Sequence, residues 1–415
     1  MNAEPTRQDV LAVDIHAIKD EWMRLWKESS ATQAKDGHPA TRNSVLNLVV
    51  FTQRAATAQA VDGALDGLCR QHPARMIVLV TNPQSEQPSM SAEINLSMYQ
   101  DRERWGTNTN ELVTIEADGE AVNFLPGVVL SLLAANLPVF TWWADAPAVN
   151  LALFDRLSAV SDRLIVDSAE FEEVGPRFQM LARISRSREY RCAVSDLNWQ
   201  RSAPWRELAA QFFDPAPLQP YLTTISHILI EYAGTEANGR TVGFSNPAQA
   251  LMLVGWASSK LGWRVVPGEQ KHTGGTYHLA LRSQQGTPIS IEIRPRSVAA
   301  KKKKPALITS REQLEEDIPA ASPAWAVSQT IAGALSTVTI TSVHEGHTGV
   351  FTIRRSADHE HATTSVTIDG ASQGPERTVH LDSIGRAELM SAELEAFDHD
   401  EDFEDALSVS GSLAE

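Results

Sequence analysis

The 415-residue chain has only two cysteines, Cys69 and Cys192. Their separation excludes a CxxC pair, a local zinc knuckle and the disulfide framework of a small secreted domain, and such sparing use fits a reducing compartment. Positive charge is also in deficit, with 36 Lys and Arg against 52 Asp and Glu and a formal net charge of −16. That balance argues against a nucleic-acid groove or an anionic membrane surface as the main partner. No uninterrupted apolar run reaches membrane-spanning length, and MNAEPTRQDVLAVDIHAIKDEW lacks the basic start and apolar stretch of a secretion signal. The expectation is a soluble cytoplasmic protein of about two domains, with no membrane and no nucleic acid among its partners.

Signatures of catalysis are scarce as well. HEGH, His344 to His347, is one residue short of the HExxH zinc motif and falls between strand-like segments, where the two histidines cannot share one helical turn. The glycines of DGALDG and KHTGGTYH form neither GxGxxG nor GxxxxGK, so no dinucleotide or phosphate loop is supported. There is no GxSxG elbow, and VAAKKKKPAL reads as a solvated charge run. No catalytic residue, metal ligand or cofactor is assigned.

What the chain does have is a change of texture along its length. Within an N-terminal segment, residues 1–39, IHAIKDEWMRLWKES is amphipathic at helical spacing and should dock on the domain that begins at residue 40. Over 40–185, buried apolar runs such as Val45 to Phe51 and RMIVLVTN alternate with helical stretches, which predicts an α/β domain with a mixed, partly parallel sheet. Over 186–385, SHILIEYAG and NPAQALMLVGWASSKLGW read as helices. TYHLALRSQ, PISIEIRP, TVTITSV, GVFTIRRS and TTSVTID alternate in period two. This predicts an α+β domain whose antiparallel sheet is covered on one face. The acidic end, 386–415, reads as a mobile tail.

The densest local pattern is DLNWQRSAPWRELAAQFFD, Asp196 to Asp214. Ser202 and Pro204 mark a helix start, and Trp205, Leu208, Ala209, Phe212 and Phe213 repeat at helical spacing. Such a face packs in a core or anchors a partner, since Trp and Arg dominate binding hot spots. The candidates for partner contact are Trp199, Arg201, Trp205 and Arg206, with Trp142 and Trp143 of PVFTWWAD second. Adjacent strand residues point to opposite faces, which favours an outward position for one of these two rings. Asp145 and Asp167 are strand-end carboxylates of the kind that cap the next element.

The ordered blocks RNSVLNLVVFT, HPARMIVLV, LPGVVLSLLAANLPVFTWWAD, FDRLSAVSDRLIVDS and DLNWQRSAPWRELAAQFFD resemble the glucose-6-phosphate dehydrogenase assembly protein family, OpcA, over about residues 40–215. The acidic C-terminal extension is similar to the cyanobacterial branch. The resemblance implies a non-catalytic assembly factor and allosteric activator, which binds the active oligomer of glucose-6-phosphate dehydrogenase in the oxidative pentose phosphate pathway. Alternatives are a chaperone acting only during assembly and a sugar-phosphate-acting α/β enzyme. The branch is associated with thiol control, but a switch within this chain would need Cys69 and Cys192 within about 7 Å between Cα atoms.

Overall fold

All seven residues of Leu46–Thr52 are buried, a pattern that requires cover on both faces of a strand. A computed structural model shows that cover. It describes residues 8–9, 14–35, 44–53, 61, 63–65, 67–69, 71–101, 106–147, 152–187, 192–234, 236–237, 240–241, 246–296, 333–382 and 384–414. The chain divides into two units, the first formed by residues 1–201 with 384–413 and the second by 202–383. VAAKKKKPAL lies outside the described residues.

The strands of the first unit are β1 (Gln8–Asp9), β2 (Leu46–Thr52), β3 (Ala74–Asn82), β4 (Ser89–Asp101), β5 (Gly106–Asp118), β6 (Val139–Trp143), β7 (Arg163–Val166) and β8 (Ala193–Asp196). They form one sheet in the order β1-β4-β5-β3-β2-β6-β7-β8. From β5 to β8 every pairing is parallel, while β4 and β1 are antiparallel additions at one edge. On one face, Leu48, Val50, Met76 and Trp142 share a core cluster with Leu65, Leu68 and, from the C-terminal end of the chain, Leu389 and Met390. On the other face, Trp143 stacks on Phe51 at 3.8 Å and meets Phe154 edge-on at 4.8 Å. The expected docking helix, Ile15–Lys35, is present. Its Trp26 Nε1 donates to the buried Glu111 at 2.7 Å, and Trp22 lies under the Arg75 guanidinium.

The second unit carries β9 (Ile225–Ala233), a small pair β10 (Glu236–Ala237) and β11 (Arg240–Thr241), β12 (Arg264–Val265), β13 (Lys271–Thr273), β14 (Thr276–Arg282) and β15 (Pro288–Arg296). After these come β16 (Leu335–His344), β17 (His347–Arg355), β18 (His361–Ile368), β19 (Ala371–Ser372) and β20 (Arg377–His380). The main sheet runs β12-β14-β15-β9-β16-β17-β18-β19, with β13 on β14 and β20 on β18. All its pairings are antiparallel except β15 with β9. The helix Ala248–Leu261 ends on Gly262 at φ 63°, the left-handed stop its sequence announces.

Three expectations are corrected. SHILIEYAG is a strand, β9, because Ile228, Ile230 and Tyr232 alternate into the core and the segment is central to its sheet. The first unit extends past residue 185, since β8 joins the parallel sheet and Leu197 enters its core. The acidic end is not a mobile tail: Arg386–Glu395 and Glu401–Leu413 are helices, and Leu394, Phe403, Leu407 and Leu413 are buried. Charged residues dominate this end, but its apolar positions fall on single helical faces.

Candidate functional site

Carboxylates gather at the carboxyl edge of the parallel sheet because β6, β7 and β8 each lead into an aspartate. Asp145 lies two residues past β6, Asp167 follows β7, and Asp196 ends β8. In open parallel sheets this edge binds ligands, above all where the strand order reverses, here between β2 and β6. Asp145 occupies that point. Its Oδ2 accepts from Thr52 Oγ1 at 3.0 Å and from the Gln53 amide, which ties the ends of β2 and β6 together.

Asp167, 1% exposed, receives a two-pronged contact from Arg201, whose Nη1 and Nη2 lie 2.6 and 2.8 Å from its two oxygens. Arg386 Nη2 adds a contact at 3.3 Å and reaches Glu170 at 2.9 Å. Asp167 also accepts from the Ala169 amide at 3.2 Å, the cap its position suggested. Burial alone would raise its pKa, but the Arg201 and Arg386 guanidiniums outweigh that and hold it below the usual carboxylate range. Burial likewise works against the Arg201 charge, and Asp167 more than restores it.

Asp196 is the unusual member. Its Oδ1 accepts from the Ser168 and Asn198 amides at 2.8 and 2.9 Å, while Oδ2 is buried without a hydrogen-bond partner among the described residues. Burial, and then the Asp167 charge, push its carboxyl up to about 6. A carboxyl with a raised folded pKa binds its proton more tightly than the unfolded chain does, so it lowers stability as pH rises from about 4 to about 6. Asp196→Asn removes that titration. Relative to its value at pH 4, the variant's stability at pH 8 should gain on the order of 2 kcal/mol over the unmodified chain, from the free energy per pKa unit. Chemical denaturation at both pH values checks this, and parallel pH dependence in the two proteins would contradict it.

The helix Leu197–Arg201 carries Trp199 into the first unit, where its Nε1 donates to Asp400 at 3.0 Å and its ring lies 5.7 Å from Phe403. Next to it, Gln200 donates to Glu393, which also pairs with the buried Arg163. The helix Ala203–Gln211 belongs to the second unit. Trp205, 1% exposed, sits under the Arg355 guanidinium at 5.4 Å. Ser202 stands at the N-cap without a capping hydrogen bond, and its hydroxyl accepts from Arg206 at 2.8 Å. Trp142 and Trp143 are both buried, because helices cover both faces of β6 and leave no outward side. Of the six residues singled out in the sequence, the four tryptophan rings are therefore core. Arg201 is a partner of Asp167, and Arg206 is partly exposed. Arg386, Glu393 and Arg163 carry no local spacing that marks them, because their partners lie 219 and 230 residues away.

The remaining motifs resolve into turns and buried groups. His344 pairs with His347 across a tight hairpin whose Glu345 and Gly346 have φ of 51° and 84°. Among the described residues no group of three metal-capable side chains comes together, and no helix is long and apolar enough to cross a membrane. Cys69 and Cys192 are buried and neither forms a disulfide, and burial pushes the Cys192 thiol up to about 12.

The profile described as the glucose-6-phosphate dehydrogenase subunit N-terminal domain matches residues 66–183, and its C-terminal domain counterpart matches 192–407. A protein of Synechocystis sp. named as an OxPP cycle protein OpcA is 31% identical over 240 residues, 56% of this chain and 47% of that one. Its namesake in Nostoc punctiforme is 32% identical over 212 residues, 50% of this chain and 42% of that one. The chain thus spans about half the length of these curated relatives. Among solved structures, the 3-ketoreductase KijD10 of Actinomadura kijaniata covers 89% of this chain and 95% of its own length, at 12% identity and a TM-score of 0.45. A likeness that low carries no assignment.

Proposed function

The chain belongs to the glucose-6-phosphate dehydrogenase subunit family, OpcA, and from that membership we propose that it is a non-catalytic partner of glucose-6-phosphate dehydrogenase in the oxidative pentose phosphate pathway. It binds the active oligomer, favours its assembly and raises its apparent affinity for glucose 6-phosphate. The observation that carries this reading is the match of both family domains in order. The carboxyl edge of the sheet supports it: Asp145, Asp167 and Arg201 are engaged in bonds within the chain, and at the switch point a buried carboxylate already holds the Gln53 amide that an incoming phosphate would need.

Activation of this kind is a population shift. The chain binds one conformation of the dehydrogenase more tightly than the others, and linkage requires substrate to tighten the complex by the factor by which the complex tightens substrate. Contact falls on accessible positions beside the buried anchors, with the partly exposed Arg206 and the exposed Glu207 first. Trp199 and Trp205 hold the segment in place rather than touching the partner. Arg206→Glu is therefore expected to weaken binding to the dehydrogenase about tenfold or more with little change in Tm, as truncation at an interface hot spot does. Trp205→Ala lowers Tm itself. Calorimetric titration with and without glucose 6-phosphate tests both parts. An unchanged Kd for Arg206→Glu removes this contact, and a complex indifferent to substrate removes the population shift. A factor needed only for assembly would differ in one respect: the dehydrogenase would keep its full activity after the chain is removed.

A further inference from the structure

The main sheet of the second unit has two unequal faces. Ile228, Ile230, Val338, Ile340 and Phe351 line the buried one. There Phe212 and Phe213 lie 5.5 and 4.9 Å from the Phe351 ring, and Leu253 and Val254 border a cavity of about 280 Å³ together with Ile230 and Val338. The residues between these point the other way. Directly paired residues share a face, so the register aligns Glu292, Leu229, Thr339, Thr352 and Ser365 in one row across β15, β9, β16, β17 and β18. Every member of that row is partly exposed. The row on one side contains Thr341 and Val350, and the row on the other contains Arg294, Glu231 and Arg354.

Charge separates this face from the rest of the molecule. Arg294 pairs with Glu231 at 2.8 Å and with Glu292 at 3.1 Å, and Arg354 lies in the same row, so the two negative and two positive charges of this face balance. The chain as a whole carries −16. Two copies repel each other over most approaches, but not where charges of both signs cancel within the surface. The centre is made of short β-branched threonines, which lose little rotamer freedom on burial and pair well across flat strands.

We propose that this open sheet face is a self-association surface, on which a second copy of the chain docks face to face about a two-fold axis. With His278 and Ala280 of β14, the three rows offer sixteen positions that are at least partly exposed, Thr337 alone being buried. That approaches the roughly 20–30 residues a side of a standard stable interface. An isologous contact uses the same patch twice, and a patch that balances its own charge meets that requirement.

Sedimentation velocity on the full chain tests the proposal. The expected result is a species at twice the 45.4 kDa chain mass that shifts toward the monomer on dilution. Thr339→Arg with Thr352→Arg sets like charges against each other at the centre and should give a monomer with an unchanged circular dichroism spectrum and Tm. A monomeric unmodified chain at all accessible concentrations overturns the proposal, and so does a dimer that survives in the folded double variant. A monomer whose capture of the dehydrogenase is lost in that variant also overturns it and gives the face to that partner. Should the arginine variant misfold, Thr352→Cys with a short bismaleimide decides: a covalent dimer supports the face, and none contradicts it.

Discussion

A chain cut before Ile384 is expected to yield no stably folded first unit. The deletion removes Leu389, Met390, Leu394, Phe403, Leu407 and Leu413, all buried. At about 1.5–3 kcal/mol for each buried apolar side chain, the loss is on the order of 10 kcal/mol, comparable with the whole stability of an ordinary domain. It also strips the buried Arg163 of Glu393 and Asp167 of Arg386. The helix Val174–Arg186 loses its cover, since Gly411 lies so close to Gln179 that a Cβ there would come within 3.3 Å of its amide. Soluble yield, near-ultraviolet circular dichroism and thermal unfolding check this. A truncated chain with native spectra and an unchanged Tm would show that the C-terminal helices are dispensable.

Arg201→Ala has the second large effect. The substitution leaves Asp167 charged, 1% exposed and held only by Arg386 and one backbone amide. Breaking a buried ion pair by removing one partner costs about 3–5 kcal/mol, because the surviving charge keeps its desolvation penalty. The pH dependence comes from the same pair. Asp167 has a lowered folded pKa, so its contribution is present above the unfolded value and is lost as pH falls through the folded one. Arg201→Ala should therefore be most destabilising at neutral pH and converge on the unmodified chain in acid. Adding Asp167→Asn should restore part of the loss by removing the stranded charge. Equal destabilisation at pH 3 and pH 7 would contradict the assignment of Arg201 to Asp167.

The parallel strands were legible in the sequence because their apolar runs are nearly continuous: all of Leu46–Thr52 and the Met76 to Leu79 stretch of RMIVLVTN are buried and need cover on both faces, while Val45, just ahead of the first strand, is exposed. The alternating strands after residue 270 were legible for the opposite reason, having one wet face. SHILIEYAG misled because its apolar residues satisfy helical and strand periods over a short span, and only its place between β15 and β16 decides. The acidic end reads as a tail by composition, while its buried Met390, Leu394, Phe403 and Leu407 fall at helical spacing among the acids. At the candidate site, Asp167 was legible as a cap, but Arg201 and Arg386 meet it only through the fold, from 34 and 219 residues away. The tryptophans were visible as types, but their burial depends on helices packed above and below β6 that no local pattern specifies.

The most direct test of the proposed role is the initial rate of glucose-6-phosphate dehydrogenase from the same organism, measured across glucose 6-phosphate concentrations as this chain is titrated in. The account predicts an apparent KM that falls by about fivefold or more, the usual range of allosteric coupling, and saturates at a fixed stoichiometry. A KM and kcat unchanged at every concentration of the chain, with dehydrogenase whose binding is shown in the same sample, would contradict activation.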